Sequence, residues 1–175
     1  FRRVLFRSLY DEKRRNKMPR NKRIWYLNAY QSILFNRILS KRIDRIDHML
    51  IGDWAMKHAN GACFLVEDAV AEQKRADVFE ISPTGVLFGS RASWATGEPG
   101  EIEREVAAEF DATPESLQEA GKACGFRGER RPLRVKADGL EWSIQGDAVT
   151  VSFTLPPGAY ATNVLRELMK NRELG

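Results

Sequence analysis

The sequence predicts an α+β protein: a mixed body of helices and strands, then antiparallel strands and a closing helix. Three observations carry that reading. Residues 23–47 repeat apolar side chains at three- and four-residue intervals, the period of a helix buried on one face. From Leu133 the interval drops to two, the period of strands. Between these stretches, short apolar runs alternate with turn residues, as in strands and short helices of a compact domain.

The elements follow in chain order. The first eight residues, FRRVLFRS, fit no element and read as a leader foreign to the domain. Without an initiator methionine, the chain reads as the back part of a longer protein. Residues 13–23, KRRNKMPRNKR, hold seven cations and no acid: Lys13, Arg14, Arg15, Lys17, Arg20, Lys22 and Arg23. The whole chain carries a net charge of +4, so outside this stripe acids outnumber bases. A local cationic stripe on a mildly acidic body suits a polyanion, and nucleic acid is the first candidate. A solvated basic segment with no partner is the plain alternative.

In the long helix, Leu27, Tyr30, Leu34, Ile38 and Arg42 share a face, widened by Ile33, Phe35 and Leu39. Arg37, Lys41 and Arg45 fall on the other side and would extend the stripe, or serve as ordinary solubilising charges. Gly52-Asp53 and Asn60-Gly61 signal turns. Residues 62–66 and 78–81 read as strands, and Pro83-Thr84-Gly85 as a turn into a further strand at 86–88. Ile102, Val106 and Phe110 mark a helix over 101–110. Thr113 and Pro114 open another as N-cap and first helical residue, and Gly125 ends it.

A strand is expected over 133–136, a hairpin turn at Asp138-Gly139, a strand through Trp142 and Ile144, a turn at Gly146-Asp147, and a strand through Val149, Val151, Phe153 and Leu155. This is a three-strand meander, with a domain boundary placed near residues 127–131.

Several function classes find no support. No apolar run approaches the ~20 residues of a membrane span. Cys63 and Cys124 stand apart and are expected as free thiols. His48 and His58 lack metal-ligand spacing, so no metal site is expected, and no phosphate loop or nucleophile–base set is evident.

The last stretch is the most suggestive. In FTLPPGAYATNVLREL at 153–168, Pro156 and Pro157 stiffen a strand exit and Gly158 allows the turn. Tyr160 is then presented for stacking or for core filling. Arg166 lies about 100° around the following helix from Leu165, placed for an ion pair.

That run resembles the C-terminal motif of the TruD-type tRNA pseudouridine synthases. Residues 20–42, RNKRIWYLNAYQSILFNRILSKR, and Arg130-Arg131-Pro132-Leu133 resemble further motifs of the family, in the same order. The resemblance implies that residues 9–131 form the family's inserted domain and 132–175 the end of its antiparallel catalytic sheet. It implies a cytoplasmic enzyme that isomerises a tRNA uridine, at tRNA position 13 in bacterial members, with no metal or organic cofactor. Arg166 matches the arginine that pairs with the catalytic aspartate, and Tyr160 and Phe153 match positions near the pocket. Arg130 and Arg131 join the stripe as expected RNA contacts. The G-x-K-D-like motif carrying that aspartate and the R-F-G motif do not occur in this chain, which alone is therefore expected to be inactive. Two other readings stay open: a non-catalytic RNA-binding module built on residues 13–23, and a protein-interaction domain with incidental basic charge.

Overall fold

A computed structural model describes residues 17–169. The order of elements is α1 (Arg20–Arg42), a 3₁₀ turn (Ile43–Arg45), β1 (Trp54–Lys57), β2 (Cys63–Leu65), α2 (Ala69–Asp77), β3 (Ile81–Leu87), α3 (Gly97–Glu109), α4 (Pro114–Cys124), β4 (Glu129–Pro132), β5 (Asp138–Gln145), β6 (Ala148–Thr154) and α5 (Ala161–Met169). Helices interleaved with strands that pair antiparallel make this an α+β fold, as the periodicities predict. The chain parts into two compact units after Arg134. The leader at 1–8 and Lys13, Arg14 and Arg15 lie outside the described residues.

In the first unit an antiparallel sheet of order β2-β1-β3-β4 forms the frame. Helix α1 buries Leu27, Tyr30, Leu34, Phe35 and Ile38 against Val86 and Phe88 from β3 and its end, and against Val106, Phe110 and Leu117 from α3 and α4. Tyr30 meets the rings of Phe88 and Phe110 edge-on, at 5.4 and 5.9 Å between centroids. A smaller cluster of Met49, Ala55, Val66, Ala76 and Ile81 lies under α2.

The sequence is misread where packing overrides local signals. Pro83-Thr84-Gly85 is no turn. Strand β3 runs straight through it and is buried from Ile81 to Val86. Pro83 has no N–H to lose, and its carbonyl accepts the Leu133 amide at 2.9 Å. Gly85 is needed because Phe35 and Leu133 crowd the place of a side chain, at 3.0 and 3.2 Å. Strand β1 and helix α2 carry too little periodicity to be seen in sequence. Asp68 nevertheless caps α2, accepting from the Val70 and Ala71 amides at 3.0 Å.

Thr113 caps α4 as expected, through a reciprocal pair with Ser116, and Gly125 ends it at φ +70°. The strand expected at 133–136 lies instead at Glu129–Pro132. Arg134 turns into the unit: its Nε donates to Ser82 at 3.0 Å, and its guanidinium lies 4.1 Å over the Phe79 ring.

The second unit is a two-stranded hairpin and a helix, not a three-strand meander. Asp138-Gly139 begins β5 with an irregular register rather than forming a hairpin turn. The turn falls at Gly146-Asp147, and Trp142 pairs with Val151 and Ile144 with Val149. Trp142, Ile144, Val149, Leu165 and Leu168 are exposed. A lone hairpin cannot bury such a face by itself.

Candidate nucleic-acid interface

Helix α1 carries two kinds of cation. Toward its C-terminal end they are paired. Arg37 donates to Glu109 at 2.7 Å, and Lys41 reaches Glu105 and Glu109 at 3.1 Å each. Arg45, just beyond, pairs with Glu98. The Arg37 guanidinium holds the Glu109 carboxyl below its ordinary range, and the same two acids raise Lys41. These cations do not extend the stripe. The acidic side of α3 neutralises them.

At the N-terminal end the picture reverses. Lys17, Arg20, Lys22 and Arg23 make no ion pair among the described residues. The first turn of α1 contains no acid, and Pro19 provides no side-chain cap. Cations at a helix N-terminus oppose its dipole by about 0.3–1 kcal/mol each. The arrangement is unfavourable within the unit and becomes favourable when an anion binds there. Trp25, 62% exposed, stands in the same turns with its ring edge-on to Tyr26 at 5.5 Å, and Lys22 lies 5.8 Å from the Tyr26 centroid. An exposed aromatic among cations is the composition of a surface that takes phosphates and stacks bases. The sequence did not single out Trp25, although its place two residues after the basic stretch is a legible signal.

The remaining expected residues are placed differently. Arg130 is turned inward, and its side chain is 4% exposed. It donates to Glu103 at 2.7 Å, to Thr84 Oγ1 at 2.9 Å and to the Thr84 carbonyl at 2.7 Å. This corrects its expected place as a surface contact, because no guanidinium edge is left for a phosphate. Glu103 also accepts the Val86 and Ala95 amides, at 3.2 and 2.9 Å. Burial pushes its carboxyl up, against the pull of Arg130. Arg131, next along the strand, faces the other way, stays exposed, and lies 5.4 Å over the Phe35 ring.

In the second unit Tyr160 and Arg166 are exposed and Phe153 is half-buried. Arg166 has no ion pair among the described residues. No group of three His, Cys, Asp or Glu among the described residues can hold a metal ion, and no described helix is long and apolar enough to cross a membrane. Cys63 and Cys124 form no disulfide among the described residues, and burial pushes the Cys63 thiol up, away from a reactive thiolate.

The same α+β arrangement recurs in a solved structure assigned to the pseudouridine synthases. The chain superposes on that crystal structure, from Methanosarcina mazei and assigned to tRNA pseudouridine synthase D, with a TM-score of 0.72 and 26% identity, over 94% of this chain and 41% of that one. The sequence model of the family described as tRNA pseudouridine synthase D (TruD) matches residues 6–168, and the chain belongs to that family. Relatives of that name include one from Geobacter sulfurreducens, 51% identical over 87% of this chain and 37% of its own length. Another, from Thermus thermophilus, is 42% identical over 82% of this chain and 39% of its own. The chain thus spans about two-fifths of the length of such relatives.

Proposed function

We propose that this chain is the RNA-engaging part of a tRNA pseudouridine synthase that isomerises a tRNA uridine in the cytoplasm, in bacterial members the one at position 13. The unpaired cations Lys17, Arg20, Lys22 and Arg23 at the start of α1 carry this reading, because the other cations along that helix and its 3₁₀ turn have acidic partners within the unit. These residues contact tRNA phosphates, continued by Lys13, Arg14 and Arg15 and by Arg131 on the sheet edge. The second unit supplies one wall of the uridine pocket. There the extruded base meets Tyr160, with Phe153 behind it. Arg166 pairs with the catalytic aspartate of the complete synthase and keeps it ionised.

No aspartate in this chain sits in a G-x-K-D context, so a non-catalytic RNA-binding module is the second reading for the chain on its own. Two measurements test the proposal. The affinity of the chain for tRNA should fall linearly with salt on logarithmic axes, and Lys22→Ala/Arg23→Ala should flatten the slope by about 0.9 for each duplex phosphate no longer neutralised. Absence of tRNA binding at low salt would overturn it. Tritium release from uridine-labelled tRNA should be absent for the chain alone and lost in the complete synthase on Arg166→Ala. Unchanged turnover in that variant would remove Arg166 from the pocket.

A further inference from the structure

We infer that the cleft between α1 and the Gly125–Glu129 turn binds a single unstacked nucleotide, apart from the uridine that reacts. The inference rests on the RNA-binding reading above and adds a site to it. The cleft holds about 360 Å³, within the range of pockets that take small ligands. Asn28 and Gln31 of α1 form one wall, and Phe126, Arg127 and Glu129 stand on the other.

The far wall is rigid. The Phe126 amide donates to the Gly121 carbonyl at 2.7 Å. The Phe126 and Arg127 carbonyls accept from the Ser90 and Arg91 amides at 2.8 and 2.7 Å. Gly128, at φ +76°, lies so close to the main chain of Gly89 that an added Cβ would be 2.7 Å from its nitrogen. Loop and strand end are therefore locked together by backbone.

The chemistry of the lining fits one kind of ligand. Phe126 lines the cleft, packed in part on the core and half-buried, and is the one aromatic residue among the described residues of that lining. Gln31, 6% exposed, donates through Nε2 to the Phe88 carbonyl at 2.5 Å, and its Oε1 accepts no hydrogen bond among the described residues. The exposed amide of Asn28 both donates and accepts. These groups match the polar edge of a base. Arg127 and its neighbour Arg91 are exposed, and neither has an ion pair among the described residues, which suits a phosphate. Trp25 lies three residues before Asn28 on the same side of α1, so the cleft continues the cationic surface. An acidic peptide would satisfy the two arginines but would leave the ring and both amides without a role.

The test uses the full chain with a single-stranded RNA 12-mer and a duplex of equal length, each titrated at several salt concentrations. Asn28→Leu crowds the cleft from an exposed helical position, and melting by circular dichroism verifies its fold. Single-strand affinity should fall about tenfold, the scale of one stacked base, with the salt slope unchanged. Duplex affinity should not move. Arg127→Ala should lower the single-strand slope by about 0.7, the value of one phosphate. A single strand carrying 4-thiouridine should crosslink to the peptide containing Phe126. If the parent chain binds RNA with steep salt dependence but Asn28→Leu and Arg127→Ala match it, the cleft assignment fails and the basic stripe stands. If the parent binds no RNA, the reading beneath it fails. A polyglutamate peptide whose binding is equally sensitive to Asn28→Leu also overturns the assignment.

Discussion

Removing the Asp53 carboxylate should unfold the first unit more readily than any surface change. Asp53 is 0% exposed and accepts Arg42 Nη1 at 2.9 Å, Arg42 Nη2 at 3.2 Å and the Leu50 amide at 2.9 Å. Arg42 is 2% exposed and donates once more, to the His48 carbonyl at 3.0 Å. Asp53→Ala leaves a guanidinium inside the unit with no counter-charge. Breaking a buried pair from one side costs about 3–5 kcal/mol, and the orphaned Leu50 amide adds about 1 kcal/mol. A loss of at least about 4 kcal/mol lowers the folded-to-unfolded ratio about a thousandfold or more.

Urea unfolding followed by tryptophan fluorescence reads this directly. Trp54 is the next residue, and its indole donates to the Trp94 carbonyl at 3.1 Å. The double variant Arg42→Met/Asp53→Leu removes both charges and should recover most of the loss, all the more because Arg42 Nε is buried without a partner among the described residues. A loss under about 1 kcal/mol for Asp53→Ala, or a double variant no more stable than the single one, would refute the argument.

Other outcomes follow from the same structure. Gly89→Ala places a Cβ 2.2 Å from the Gly128 nitrogen, and this backbone clash should cost about 1–3 kcal/mol by urea titration. Arg37→Ala should leave tRNA affinity within about twofold, because Arg37 is paired with Glu109, whereas Lys22→Glu should reduce it steeply in a filter-binding assay at low salt. Glu80, Glu98 and Glu109 are held below their ordinary values, first of all by hydrogen bonds from Arg75, Arg45 and Arg37. A lowered folded-state value means that the unfolded chain binds protons more readily. Their contribution is present above the ordinary glutamate range and is lost as pH falls through the lowered values. Melting temperature should therefore decline below about pH 4.5, less so in Glu109→Gln and at high salt.

The elements legible in the sequence were those with a long or locally encoded signal. Helix α1 showed itself because more than six turns repeat one apolar face, and α4 because Thr113, Pro114 and Gly125 carry its boundaries. β3 was read as two strands, 78–81 and 86–88, because a Pro-Thr-Gly sequence is a turn by local preference; pairing with β1 and β4 on its two sides makes Ile81–Leu87 one strand and leaves residues 78–80 outside it. β1 and α2 were hidden because each is too short for a period to register.

By itself the sequence determined the α+β class, the basic stretch and the resemblance to the TruD family, since these reside in composition, period and motif order. Only the tertiary structure decided which charges are available. Arg42, Arg37 and Lys41 occupy the same helix as Arg20, Lys22 and Arg23 and are equally basic in sequence. The first three meet acids from β1 and its approach or from α3, and the last three meet none among the described residues. Arg130 and Arg131 are neighbours, yet strand alternation sends one to Glu103 and leaves the other at the surface. The partner of a charge comes from a distant part of the chain, so its availability to an outside anion is a property of packing that residue type alone does not carry.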